Sequence, residues 1–261
     1  MKPEVALVLA AGLGTRMRPL TDRIPKALVP VAGQALVDRA LDHVGAAGID
    51  RAVVNLHHFA DRLADHLAIR PAPPELALSD ERDCLLDTGG GLARAAPLLG
   101  AGPVIAMNAD AVFAGPDPLA PLLATWSRVD ADALLLLVRR EATLGYTRPG
   151  DFFLAKDGGI PERRGARDTA PFVFTGVQIL ATAARDEAAT IAADTPVFSM
   201  NAIWDRLLAR GRLAATVWPS GAGCRLADDP GQPHAAWCDV GTPAGIEAAE
   251  AALSAWEAAC I

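Results

Sequence analysis

The chain has 261 residues, 51% of them hydrophobic and 21% charged, with a formal net charge of −7. That length suits one large α/β domain or two small ones, and the acidic balance disfavours a duplex nucleic-acid binder while leaving room for an anionic small molecule held by a few local cations. No apolar stretch is long enough to span a membrane, the N-terminus enters a core strand without a secretion signal, and the scattered Cys84, Cys224, Cys238 and Cys260, with no CxxC pairing, fit a reducing cytoplasm.

The first predicted element is a strand over residues 5–10, which feeds directly into Ala10-Ala11-Gly12-Leu13-Gly14-Thr15-Arg16. Glycines in such a turn let backbone N–H groups approach an anion with no Cβ in the way. Arg16 adds a planar, permanent charge suited to phosphate oxygens, and Lys26 adds a compact one. The spacing fits neither the P-loop nor the dinucleotide fingerprint, since no Lys follows Gly14 and position 17 is Met. The other reading is a plain turn with Arg and Lys as solvated surface charges. A helical period then covers residues 34–47, stopped by Gly48, followed by a strand over 52–56 and a helix over 59–68. The proline cluster at 71–74 ends that helix. A short strand at 76–78, a helix over 90–98 opened by Thr88-Gly89-Gly90-Gly91, and a strand at 104–107 ending in Asn108-Ala109-Asp110 come next. A helix over 117–127 and a strand over 133–138 complete the regular part. Beyond 140 the pattern loosens, with strands at 152–154 and 172–174, a turn at 157–159, a helix over 199–210, a strand over 213–218 and a final Ala-rich helix after Asp239-Val240-Gly241-Thr242-Pro243. The alternation predicts one α/β domain over 1–261 with a doubly wound, mainly parallel sheet and helices on both faces.

In such a sheet, ligands bind beyond the carboxyl ends of the strands. The loop after residue 10, Asn55 and Asp110 should therefore share one edge. A carboxylate just past a buried strand and near a phosphate loop suits Mg²⁺, and Asp239 offers the second carboxylate that a hard ion wants. Each Asp alone also reads as a turn former. The glycine run at 89–91 reads either as a close approach to a base or ribose or as a flexible helix entry. His57 and His58, adjacent on a strand, point to opposite faces and do not share an ion. No nucleophile elbow is present, so covalent catalysis has no support.

The segment Leu9 to Lys26, read as L-A-A-G-x-G-T-R-M-x-P-L-T-x-x-x-P-K, resembles the signature of the sugar-1-phosphate nucleotidyltransferases. The resemblance is strongest to the short subgroup that uridylylates N-acetylmuramic acid 1-phosphate. It continues through Val53 to His58, Leu86 to Gly91, Asn108 to Asp110, Gly150-Asp151-Phe152, Phe174 to Val177 and Trp237 to Pro243, and so spans nearly the whole chain. It implies the nucleotide-diphospho-sugar transferase fold, with a nucleotide-binding half (1–140) and a sugar-binding half with closing helices (141–261). It also implies a reaction: a sugar 1-phosphate oxygen attacks the α-phosphorus of an NTP, UTP in that subgroup, giving a nucleotide sugar and pyrophosphate with Mg²⁺.

Carried over by position, Ala10, Ala11, Gly12, Gly14 and Thr15 would line the triphosphate. Arg16 would offset charge on the pyrophosphate, and Lys26 would hold the attacking phosphate. Asp110 and Asp239 would hold Mg²⁺, and Gly89 and Gly90 would contact the base. Asn55, Asp151, Glu162, Thr175 and Gly176 would face the sugar. Arg16, Lys26 and Asp110 are thus the expected catalytic set. Two positions depart from the family pattern: Ala27 replaces Pro after the Lys, and Ala109 replaces Gly or Ser before Asp110. Other acceptors (mannose or glucose 1-phosphate, phosphocholine) and a catalytically silent nucleotide-sugar sensor are alternatives, although a silent relative would be expected to have lost one of the four charged residues. Membrane and nucleic-acid partners are not expected, the oligomeric state is open between monomer and homodimer, and the implied setting is cytoplasmic cell-wall sugar recycling.

Overall fold

A computed structural model describes residues 1–154, 159–218 and 235–259. The chain begins with β1 (Val5–Leu9), which leads into short 3-10 turns at Thr15–Met17, Leu20–Asp22 and Lys26–Leu28. There follow β2 (Pro30–Val31), β3 (Gln34–Ala35), α1 (Leu36–Ala46), β4 (Arg51–Leu56), α2 (Ala60–Ala68), β5 (Glu75–Asp80), α3 (Asp87–Ala95), β6 (Val104–Asn108), β7 (Ala111–Ala114) and α4 (Leu119–Trp126). The second half carries β8 (Ala133–Arg139), β9 (Thr143–Leu144), β10 (Phe152–Phe153), β11 (Glu162–Arg163), β12 (Phe172–Leu180), α5 (Thr182–Asp194), α6 (Asn201–Ala209), β13 (Leu213–Trp218), β14 (Ala236–Asp239) and α7 (Pro243–Ala259).

The main sheet has the path β13-β8-β12-β6-β1-β4-β5. Its neighbours are parallel except at β12, which runs antiparallel to both β6 and β8. The short β10 and β11 extend it beside Phe172. Successive residues of β1 point to opposite faces. Ala6 and Val8 pack with Val37, Leu41 and Leu63 of α1 and α2. Val5 and Leu7 pack with Leu92, Ala184 and Ile203 of α3, α5 and α6. Both faces are covered, as the alternating strand and helix signals predict. The near-continuous apolar run of β8 suits a strand buried on both sides. A smaller sheet, β7-β14-β9, sits under α7 and carries Asp239 to a position opposite Ala111.

Several boundaries differ from the sequence expectation. Residues 34–35 belong to a hairpin rather than to α1, because Ala32 and Gly33 take φ 48° and 77°, a turn that feeds antiparallel strands. α3 starts at Asp87 and stops at Ala95, where Pro97 enters a 3-10 turn. β12 runs on to Leu180 through a bulge, with Gly176 at φ 86° between the two pairing registers. That glycine ends the alternating pattern in sequence without ending the strand. α5 has no counterpart among the predicted elements, since its Ala-rich stretch buries only Ala184, Arg185 and Ala188 and gives a weak apolar stripe. Of the expected turn at 157–159, only residue 159 lies within the described residues, and Cys224 and Cys260 also lie outside them. Cys84 is exposed, and Cys238 is buried with its thiol pushed up to about 12. Among the described residues, no helix is long and apolar enough to cross a membrane.

Candidate active site

Leu9 pairs with Asn108, and Val8 with Val54, so the loops after β1, β4 and β6 leave the sheet at one edge. The first two loop amides are already taken: Ala10 and Ala11 N–H donate to Asn55 Oδ1 at 2.6 and 3.1 Å. Asn55 is buried and donates through Nδ2 to Glu81 Oε1 at 2.9 Å. Beyond them, a Cβ on Gly12 would meet nothing within 4 Å. Gly14 differs. It takes φ 63°, and a Cβ there would lie 2.8 Å from Thr21 Cγ2 and 2.9 Å from Lys26 Cβ. Its carbonyl accepts from Thr21 Oγ1 at 2.7 Å and from the Met17 amide at 2.8 Å. This left-handed residue opens the turn that includes Thr15 and Arg16 and brings Lys26 back against the loop.

Lys26 Nζ meets Asp110 Oδ2 at 2.6 Å. The Val240 amide donates to Asp110 O at 3.2 Å, tying the start of β7 to the end of β14. Burial raises the Asp239 carboxyl above the usual carboxylate range and the negative charge of Asp110 adds to this, while Lys26, Arg148 and Arg16 oppose it. The Arg16 guanidinium lies against Gly241, where a Cβ would come within 2.7 Å of Nη2. Arg16, Lys26, Asp110 and Asp239 thus converge from three separate stretches of chain. Two neighbouring carboxylates, one already destabilised by the other's charge, fit a hard divalent cation. No group of three or more His, Cys, Asp or Glu ligands occurs among the described residues. An ion such as Mg²⁺ would need waters or substrate phosphates to complete its coordination beside these two carboxylates. Ala109 is not among the positive-φ residues, so its side chain costs the backbone nothing here.

Two chambers meet at Leu9, Asp87, Thr88, Asn108 and Asp110. The first, about 460 Å³, is walled by Ala10, Ala11, Gly12, Asn55, Leu85 and Val197, mostly main chain and apolar carbon. The second, about 270 Å³, is polar and holds Arg16, Arg148, Asp151, Arg163, Thr175, Gly176 and Asp239, with Trp204 and Trp237 as aromatic walls.

The expected sugar-facing residues divide between the chambers and the surface. Asp151, Thr175 and Gly176 line the second chamber. Asp151 Oδ2 accepts the Phe174 amide at 2.9 Å, and the Thr175 hydroxyl donates to Leu136 O at 2.8 Å, so both side chains already hold backbone. Asn55 lies in the first chamber and not the second, because its amide group is committed to the loop. Glu162 lies outside both chambers, exposed and paired with Arg167 at 2.7 Å; the neighbouring Arg163 lines the second chamber instead. Gly89 and Gly90 do not line the first chamber. Their amides donate to Phe198 O at 3.0 and 3.1 Å, and Cβ atoms on them would fall 2.4 Å from the Phe198 ring and 2.2 Å from Pro196 O. Asp87 and Thr88, which directly precede them, line both chambers instead. Asp87 takes φ 59°, a backbone state rare for a non-glycine residue at a cavity wall, and sequence reading passed over it. Arg148 and Arg163 were equally illegible, since isolated arginines in irregular chain carry no pattern.

Residues 6–150 match the model of the MobA-like NTP transferase domain. Over 97% of this chain and 98% of the relative, the sequence is 42% identical to N-acetylmuramate alpha-1-phosphate uridylyltransferase of Caulobacter vibrioides. It is 32% identical to the protein of the same name from Neisseria meningitidis, over 97% and 99% of the two chains. Among solved structures, the inositol-1-phosphate CTP transferase from T. maritima superposes with a TM-score of 0.74 at 16% identity, covering 98% of this chain and 97% of that one. A putative glucose-1-phosphate thymidylyltransferase from Bacillus anthracis gives 0.72 at 16% identity, covering 95% of each chain. These structural likenesses speak to the fold alone.

Proposed function

This chain belongs to the sugar-1-phosphate nucleotidyltransferases and is an enzyme of that class, and on that premise we propose that it transfers uridylyl from UTP to N-acetylmuramic acid 1-phosphate with Mg²⁺. The observation that carries the reading is the Lys26–Asp110 pair, in which Lys26 lines the first chamber and Asp110 lines both. In the reaction, a lone pair on the acceptor phosphate oxygen forms a bond to the α-phosphorus. The bond from that phosphorus to the pyrophosphate oxygen breaks, and its electrons leave with pyrophosphate. No proton transfer is required, so positioning and charge stabilisation supply the rate.

Each residue then has a task. The first chamber takes the nucleoside against apolar walls, with the Gly12–Gly14 backbone toward the phosphates. Lys26 draws the acceptor phosphate to the α-phosphate, and Arg16 offsets the charge that grows on pyrophosphate. The polar second chamber takes the sugar. Asp110 and Asp239 would hold the divalent ion, which when bound neutralises charge between the two phosphates. The 42% identical relative, named for this substrate pair and aligned end to end, supports the choice of UTP and the acidic sugar. A pyrophosphate-release screen crossing the four NTPs with a panel of sugar 1-phosphates tests it. The expected result is turnover greatest with UTP and N-acetylmuramic acid 1-phosphate. Preference for another pair replaces the substrate assignment, and silence with every pair sinks the catalytic reading.

A further inference from the structure

Glu81 has no part in the chemistry above, yet it is a fully buried carboxyl group that lines the first chamber beneath the loop after β1. It directly follows β5, where its amide donates to Leu56 O at 2.8 Å and its carbonyl meets His57 Nδ1 at 2.7 Å. Its Oε1 accepts from Asn55 Nδ2 at 2.9 Å, while its Oε2 has no partner among the described residues. Gly91 of α3 makes room for this pair: a Cβ there would lie 3.0 Å from both Asn55 Nδ2 and Glu81 Oε1. On its other side, Asn55 Oδ1 accepts the amides of Ala10 and Ala11.

The arrangement fixes a choice that Asn55 alone would not make. A side-chain amide has an acceptor end and a donor end of nearly equal shape. Were Asn55 reversed, its NH₂ would face two backbone donors, which is repulsive. An acceptor on the far side holds it the right way round. We propose that Glu81 is a positioning residue: by orienting Asn55 it fixes the Ala10–Ala11 backbone, and with it the direction of the amides from Gly12 to Gly14 that face the nucleotide phosphates. The inference rests on the reading that the first chamber takes the NTP. Burial raises the Glu81 carboxyl above the usual range and Asp83 adds to this, while the Asn55 hydrogen bond and the charges of His57 and Arg94 oppose it. Arg94 is itself paired with Asp83 at 3.0 Å. The folded group therefore holds its proton to a higher pH than an ordinary Glu, as a carboxyl group with one oxygen unpartnered among the described residues would.

The test uses the full chain with Mg²⁺ and UTP, measuring KM and kcat together with equilibrium UTP binding. Glu81→Ala is expected to raise the UTP KM about tenfold, the scale of one lost buried hydrogen bond, with the acceptor KM little changed. Asn55→Ala does the same, and the double variant is no worse than Asn55→Ala because one residue acts through the other. Glu81→Gln keeps an acceptor for Asn55 and restores the UTP KM. If Glu81→Ala does not fold, Glu81→Met, which fills the space but offers Asn55 no acceptor, takes its place in the comparison with Glu81→Gln. A lowered melting temperature with unchanged UTP KM, additive effects in the double variant, or equal UTP KM values for Glu81→Gln and Glu81→Met would overturn the proposal. A parent chain that fails to bind UTP overturns the chamber reading itself, and the inference with it. A parent that binds while all variants bind equally overturns the inference alone.

Discussion

Lys26 and Asp110 meet at 2.6 Å with side chains that keep 11% and 38% of their exposure, so water screens the pair from the Asp110 side. A partly solvated pair of this kind contributes little to stability. In the proposed reaction its value lies in placing an ammonium where the acceptor phosphate would arrive. Lys26→Met is therefore expected to lower kcat about 10²–10³-fold, the scale of removing one preorganised electrostatic group. The melting temperature should move little. A variant that melts far lower, with kcat lost only in proportion to unfolding, would make Lys26 structural. Asp239 carries the complementary prediction. Its carboxyl is raised, first by burial and then by Asp110. It therefore holds its proton to a higher pH than an ordinary Asp, and only the ionised form ligates a cation. The Mg²⁺ concentration for half-maximal rate should rise as pH falls, beginning above the pH at which an ordinary Asp would titrate. Asp239→Asn should abolish that dependence along with most of the activity. A Mg²⁺ requirement that stays flat with pH would remove Asp239 from the proposed pair.

At the scale of elements, two glycines of similar appearance in sequence do opposite work. Gly12 has open space where a Cβ would go, whereas on Gly90 of α3 a Cβ would lie 2.2 Å from Pro196 O, a backbone atom. Gly90→Ala is expected to cost about 1–3 kcal/mol by overpacking, read as a shifted denaturation midpoint. Gly12→Ala should leave that midpoint within about 0.5 kcal/mol while raising the UTP KM, because on the proposed reading the space it fills faces the nucleotide. Equal effects of the two on stability would contradict the division. This contrast explains why the glycine run at 89–91 was misleading: composition announces a close approach without saying what approaches. Here it is the segment Pro196 to Phe198, packed onto the helix from the far side of the chain. The 3.6-residue stripe of α1 and the apolar runs of β1 and β8 were legible because each buries a continuous surface. α5 was not, because a helix that buries two alanines and one arginine leaves almost no pattern to read.

For the whole molecule, the sequence motifs announce Asp110 and Asp239 separately, and the fold brings them together through β14 pairing with β7, Asp239 opposite Ala111. Nothing local encodes that register. Likewise the parallel strands foretold a ligand edge, but its division into two chambers depends on β12 reversing direction beside β6 and carrying Thr175 and Gly176 under Asn108. The division yields a thermodynamic prediction. If, as proposed, UTP fills the first chamber, a UDP-sugar fills both with one molecule, so the loss of translational and rotational freedom is incurred once for contacts on two walls. At equal concentration, the product UDP-N-acetylmuramic acid should raise the melting temperature more than UDP does. A ligand at about a hundred times its Kd adds roughly 2.7 kcal/mol, which amounts to several degrees for a chain of this size. The excess over UDP should vanish when the second chamber is obstructed, for example by Gly176→Val, where φ 86° already disfavours a side chain and a Cβ would fall 2.9 Å from Asn108. On the proposed reading the substitution should leave the shift produced by UDP in place, since Gly176 lines the second chamber and not the first. A product shift no larger than that of UDP in the parent chain would mean that the second chamber is not where the sugar binds. A UDP shift lost together with the product shift in Gly176→Val would mean that the two chambers do not bind independently.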